Sequence, residues 1–188
     1  MRRGLFARCC GALLRLFGWR VRVVWPPVPK AVVIVYPHTS NWDFVVGILA
    51  RFAAALPIGF VGKDTLFRPP FGFLFRRLGG IPVNRRESTG FVGGLIDAFA
   101  QADCLYLAIA PEGTRSRVDC WKSGFYRVAL AAGVPLGLAF IDYARREVGV
   151  EVWLTLTGDE AGDLAEIRAF YADKRGKKPE KEGAIRFR

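Results

Sequence analysis

A single α/β domain with a mostly parallel central sheet flanked by helices is the fold class this sequence predicts. Three observations point to it. From residue 31 onward, short apolar runs rich in Val, Ile and Leu alternate with stretches of helical character, the order that builds βαβ units. The runs read as buried strands, apolar nearly throughout, as strands are when helices cover both faces of a sheet. The chain has 188 residues, 52% of them hydrophobic, enough for one domain with a sizeable core.

The elements follow in order. At the N-terminus, RRGLFARCCGALLRLFGW reads as an amphipathic helix, with Arg8 and Arg15 close together on a helical projection. Leu5, Phe6, Leu13, Leu16 and Phe17 form its broad apolar face. A helix lying in a membrane interface is the favoured reading. A helix docked on its own domain and a cleaved signal peptide are the alternatives, and the two arginines interrupt the apolar region a signal would need. AVVIVY (31–36) is a buried strand, followed by a helix from about Asn41 to Ala55. Residues 44–61 approach the length of a membrane span, but Arg51 at the centre and Pro57 oppose one.

PIGFVG (57–62) is a second strand, and FGFLFRRL (71–78) is a short amphipathic stretch leading into GGIPVN (79–84). Ser88 can cap a helix reaching about Ala102. CLYLAIA (104–110) is another buried strand, and a helix spans about Gly124 to Ala132. PLGLAFID and VGVEVWLTL close the sheet, and a helix near 160–172 precedes a basic tail. The expected division is a membrane-association segment at 1–24, the main domain at 25–172, and a basic tail at 173–188.

Charge narrows the partners. The net charge of +11 sits at the ends: residues 1–30 hold seven Arg or Lys and no acid, residues 171–188 carry +4, and the stretch between is neutral. Basic ends suit nucleic acid or an anionic membrane, and the apolar helix beside the N-terminal charge favours the membrane. No nucleic-acid partner is expected. The four cysteines show neither metal-ligand spacing nor a disulfide framework, and one histidine offers too few ligands for a metal enzyme. Reduced thiols in a cytosolic setting follow.

Sites in such sheets form at loops leaving the carboxyl ends of strands. Three of these loops carry chemistry. In HTSNWD, His38 lies in the loop and Asp43 in the first helical turn if Asn41 is the cap, so the two side chains can converge. A carboxylate on one imidazole nitrogen fixes the tautomer and raises basicity at the other, the arrangement of a general base. In APEGTRS, Pro111 and Gly113 end a strand and expose Glu112 and Arg115 on a turn. A guanidinium there can grip phosphate bidentately, with Glu112 orienting it or a substrate hydroxyl. In GGIPVNRR, Arg85 and Arg86 follow a strand, and Lys122 in WKSG adds a further cation near the same mouth. From spacing alone, a surface His beside a capping Asp and a surface ion pair on the turn remain open.

Together these blocks resemble the 1-acylglycerol-3-phosphate acyltransferase family of glycerolipid acyltransferases. HTSNWD resembles its His-x4-Asp signature, GGIPVNR its second block, PEGTRS its third and AGVPLGLAFID its fourth. IRAFYADKRGKKPE is similar to the tails of short bacterial members. Pro37 and Asn84 depart from residues common in the family. The resemblance implies transfer of a fatty acyl group from acyl-CoA or acyl carrier protein to a lysolipid hydroxyl, 1-acylglycerol-3-phosphate first among acceptors. It implies His38 and Asp43 as the catalytic pair. Arg85 and Arg115 would hold the acceptor phosphate, with Glu112, Gly113 and Thr114 shaping the pocket and Lys122 beside it. No cofactor is implied beyond the thioester co-substrate. The expected partners are membrane lipids, the lysophospholipid acceptor and the donor, and the expected place is the cytoplasmic face of the inner membrane, bound peripherally. A hydrolase using Ser40 and a non-catalytic basic membrane-binding module are the rival readings, and no GxSxG elbow supports the first.

Overall fold

The computed structural model describes residues 4–83 and 88–187. Seven strands form one sheet: β1 (Arg20–Val23), β2 (Lys30–Val35), β3 (Ile58–Lys63), β4 (Gly80–Val83), β5 (Leu105–Ile109), β6 (Leu136–Asp142) and β7 (Glu147–Leu154). Their spatial order is β1-β7-β6-β2-β5-β3-β4. The pairs from β6 through β4 are parallel, β7 runs antiparallel to β6, and β1 lies parallel to β7. The expected mostly parallel α/β sheet is therefore what the chain forms.

Helices cover both faces, for the reason that apolar strands require it. On one face lie α1 (Leu5–Leu16) and α2 (Trp42–Ala54), whose Cys10, Leu14, Val46, Ala50 and Ala53 pack with Ile141 and Val148. On the other lie α4 (Ser88–Gln101), α5 (Gly124–Ala132) and α6 (Glu160–Tyr171), around Ile34, Leu107, Leu138 and Phe140. The short α3 (Gly72–Arg77) joins the first group through Phe75, whose ring lies 5.7 Å from that of Phe44 in α2. Helix α2 ends where Ala55 turns left-handed at φ 57°, just ahead of Pro57.

Strand β1 has no counterpart among the expected elements. Its RVRV alternation was absorbed into the basic N-terminal segment, yet it is a half-buried edge strand. Arg20 and Arg22 reach across to Glu147 and Glu151 at 3.2 and 2.9 Å, ion pairs between neighbouring strands. Gly149 makes the pairing possible, since a Cβ there would lie 1.6 Å from the Arg22 carbonyl oxygen. The sheet thus begins inside the stretch 1–24 expected to serve the membrane alone.

The basic tail is likewise built in. Residues 173–187 fold back over the carboxyl ends of the strands, with a 3-10 turn at Pro179–Lys181. The Tyr143 and Trp121 N–H groups donate to the Arg175 and Arg186 carbonyls, both at 2.8 Å, and the Phe187 ring packs 5.5 Å from that of Tyr126.

Helix α1 is amphipathic in an unusual partition: a narrow stripe docks and a wider one does not. Leu14 is 2% exposed, whereas Leu5 and Leu16 are 78% and 80% exposed. Leu14→Ala should therefore cost 2–5 kcal/mol, in the range of about a full core truncation, while Leu16→Ser should change stability by less than about 0.5 kcal/mol. Urea unfolding of the two variants checks the partition.

Candidate active site

The topology explains where the site falls. The connection leaving β2 carries α2 on one face toward β3, and the connection leaving neighbouring β5 carries α5 on the other face toward β6. Adjacent strands whose connections part in this way leave a crevice at their carboxyl ends. The loop after β2 holds His38, and the loop after β5 holds Glu112 to Arg115.

His38 and Asp43 do converge. Nδ1 of His38 lies 3.3 Å from Asp43 Oδ2, an ion-pair distance without a formed hydrogen bond. Nδ1 is buried against the carboxylate, so the Nε2 edge of the ring is the part left for the cavity that His38 lines. Asn41 occupies the cap position of α2 without a capping side chain. Ser40 and Asp43 do that work instead: Ser40 Oγ accepts from the Trp42 N–H at 3.2 Å, and Asp43 Oδ2 accepts from the Ser40 N–H at 2.8 Å. Ser40 Oγ thereby serves the start of α2.

Asp43 is 2% exposed, and a carboxylate so buried needs donors. Besides the Ser40 N–H it receives the Tyr143 hydroxyl on Oδ1 at 2.9 Å. Burial, then the Asp43 charge and this hydrogen bond, push the phenol well above its usual range, so it stays a donor. With Oδ1 engaged by Tyr143, Oδ2 is the oxygen turned to His38. Sequence reasoning missed Tyr143 because it lies a hundred positions away, just past β6, and only the fold brings it to α2.

Arg115, Thr114 and Gly113 line the same cavity as His38 and Asp43. Gly113 turns with φ 67°, a left-handed geometry suited to glycine. Two other expected site residues do not belong to it. Glu112 was expected in the substrate pocket, but it is 2% exposed and points inward. Its Oε2 accepts from the His38 N–H at 2.8 Å and its Oε1 from the Gly183 N–H at 2.9 Å. A strand-end proline places it beneath the histidine loop rather than at the mouth. Lys122 is absent from the cavity lining because its alkyl chain lies along Gly113, within 3.1 Å of where a Cβ would sit. Arg85 and Arg86 lie outside the described residues.

The cavity measures about 640 Å³ and runs between α2 and the sheet. Its walls are largely apolar, with Val33, Gly47, Leu56, Phe60 and Val150, although Lys63 and Thr65 also line it. Arg51 is a polar wall residue that sequence reading used only as an argument against a membrane span. Its guanidinium, lowered in pKa by burial, donates to the Leu56 and Leu78 carbonyls and so ties the ends of α2 and α3 together. Among the described residues no cluster of His, Cys, Asp and Glu could hold a metal ion.

Fold and site define a class: an α/β protein in which a carboxylate-backed imidazole and a guanidinium share the mouth of a long apolar cavity. The family follows from the sequence match. A family model described as Acyltransferase matches residues 23–137, more than half of the chain, and the protein belongs to the acyltransferase family. Among solved structures, the 1-acyl-sn-glycerophosphate acyltransferase PlsC of Thermotoga maritima is similar in fold, with a TM-score of 0.56 and 17% identity over 89% of this chain and 74% of that one. No curated protein matches the chain.

Two outcomes test the geometry. Tyr143→Phe frees the Asp43 carboxylate to rotate and should lower kcat about tenfold, as the loss of about 1–1.5 kcal/mol of orienting hydrogen bond implies, with acceptor KM unchanged in steady-state kinetics. Glu112 supplies the second. Burial pushes its carboxyl up to about 7 against the donors Gly183 and His38, with Glu182 and Asp43 adding to the rise. The unfolded carboxyl ionises near its ordinary value of 4.5, so between that pH and about 7 the folded state alone stays protonated. Stability from this group falls as pH rises through that window, by about 3 kcal/mol in all. Glu112→Gln should abolish that slope, read as the difference between variant and wild-type unfolding free energies at pH 5 and 7.5.

Proposed function

We propose that the protein transfers a fatty acyl group from a thioester donor, acyl-CoA or acyl carrier protein, to the hydroxyl of a lysolipid. The acceptor that fits best is 1-acylglycerol-3-phosphate, giving phosphatidic acid for phospholipid synthesis. One observation carries this reading: a backed imidazole stands at the junction of an apolar cavity and an arginine. An acyl chain suits the first and an acceptor phosphate the second.

In the proposed reaction the lysolipid hydroxyl gives its proton to His38 Nε2 as its oxygen attacks the thioester carbonyl. Asp43 holds the resulting imidazolium in place. The tetrahedral intermediate collapses with cleavage of the carbon–sulfur bond, and the thiolate takes the proton back from His38. No acyl-enzyme is required, because the acceptor is itself the nucleophile. Arg115 binds the acceptor phosphate, with Thr114 and Gly113 shaping the loop that presents it. The Gly113 N–H is already given to the Ala110 carbonyl at 3.0 Å, so it is a poor candidate for stabilising the oxyanion.

The acceptor reaches this mouth from a bilayer in the proposed picture. Leu5, Phe6, Leu16 and Phe17 on α1, Trp42 on α2, and Phe71 and Phe73 at α3 are all exposed, on helices packed against one face of the sheet. Exposed apolar side chains gathered on helices of one face suit contact with lipid, and α1 also carries Arg8 and Arg15. Among the described residues no helix is long and apolar enough to cross a membrane. Peripheral attachment accords with both facts, and the cytoplasmic face of the inner membrane is where the proposed thioester donors would meet it.

The test is transfer of labelled acyl chains from donor to a panel of lysolipids in vesicles. His38→Ala and Asp43→Asn should lower turnover by about 10²–10⁴-fold. Arg115→Ala should raise acceptor KM by about tenfold or more, the scale of one charge-assisted contact. Transfer that persists in His38→Ala, or an acceptor KM indifferent to Arg115, overturns the assignment.

A further inference from the structure

A second concavity, of about 610 Å³, lies between α6, the loop after β5 and the folded-back tail. It is walled by four arginines: Arg117 from the loop, Arg168 from α6, and Arg175 and Arg186 from the tail. Asp119 and Glu182 also border it, yet none of the four guanidiniums forms an ion pair among the described residues. Three are held by backbone carbonyls instead. Arg168 Nε donates to Ile185 and Arg186 Nε to Asp119, both at 3.0 Å, and Arg175 Nη1 donates to Ala172 and Lys174 at 3.0 and 2.8 Å.

Two consequences follow. A carbonyl tether through Nε fixes a guanidinium while leaving its two Nη groups free to donate, which is pre-organisation for an oxyanion. Arg168 and Arg186 are held this way, and with Arg117 and Arg175 they place four cations against the two carboxylates bordering the cleft, Asp119 and Glu182, an excess of positive charge that calls for an anionic ligand.

Position identifies the ligand further. The cleft belongs to the sheet face of α6, whereas the exposed apolar residues belong to the face of α1 and α2. A ligand entering it comes from water rather than from a bilayer. The two cavities are nevertheless close at their rims: Arg115 borders the first and Arg117 the second, and two residues of chain span at most about 7 Å. A pantetheine arm, with two amides between its sulfur and its phosphate, is longer than that gap.

We propose that this arginine cleft binds the phosphates of the nucleotide end of coenzyme A, so that the acyl donor enters from the aqueous side while its thioester reaches over the 113–117 loop to His38. The proposal rests on the acyl-transfer reading above and adds a donor subsite to it. It also divides the labour of the arginines: Arg115 serves the acceptor phosphate, and Arg117, two positions on, serves the donor.

The experiment pairs binding with kinetics. Calorimetric titration of the full chain with adenosine 3′,5′-bisphosphate, which carries no acyl group and no thiol, tests the cleft without any transfer reaction. Binding should be saturable and salt-sensitive, and weakened about tenfold by Arg168→Ala. Because Arg168 and Arg186 also tether the tail, Arg117→Ala is the second variant; among the described residues it holds no backbone carbonyl, and it should weaken the nucleotide similarly. In transfer assays both variants should raise the KM for acyl-CoA while leaving the acceptor KM in place. Nucleotide binding indifferent to all these arginines overturns the proposal, as does a rise in acceptor KM alone. Loss of rate confined to the acyl carrier protein thioester would assign the cleft to a protein donor and also overturn it. Failure of wild-type acyl transfer with intact nucleotide binding would instead refute the catalytic reading and spare the cleft.

Discussion

Much of this molecule hangs on one buried carboxylate. Glu112 receives the His38 N–H on one oxygen and the Gly183 N–H on the other, joining three stretches of chain that are far apart in sequence. Such a group is costly to bury and costly to leave half-satisfied, so it holds both partners or destabilises the fold. His38 is thereby fixed from two sides, its backbone by Glu112 and its ring by Asp43. Because Glu112 follows β5 while His38 and Asp43 follow β2, the position of the histidine loop depends on the β2–β5 register as well as on the local turn.

The tail completes that arrangement. Thr39, next to the histidine, accepts from the Lys178 N–H at 3.1 Å, and Tyr36 donates its hydroxyl to the Gly183 carbonyl at 3.1 Å. Gly176 comes so near Thr39 that a Cβ would sit 2.8 Å from its Oγ1. The basic residues of this stretch are thus outward passengers on a backbone that is itself structural. The fold presents an apolar flank on the helices of one face and an arginine-lined cleft toward the other, with the histidine at the seam between them.

How far the sequence could be read depended on the range of the interaction. Local periodicity and apolar runs marked β2, β5 and β6, and the His38–Asp43 spacing with a helix start between them was enough to anticipate convergence. Asn41 as the capping side chain was a reasonable inference from residue type, but Ser40 and Asp43 share the task. What escaped reading was long-range. Strand β1 is legible only once Glu147 and Glu151 stand beside its arginines. Tyr143 is legible only once β6 lies near α2. Glu112 looked like a mouth residue because a turn motif says nothing of which way a side chain faces, and the neighbouring Gly183 that draws it inward is 71 positions away.

The tail contact has a consequence for biosynthesis. While a growing polypeptide still lacks Gly183, Glu112 has lost one of its two partners and the histidine loop is only half anchored. Gly183 must therefore be in place before the His38 loop is anchored through both oxygens of Glu112. A nascent chain would thus expose the apolar side chains of α1 well before the His38 loop could be held from both ends.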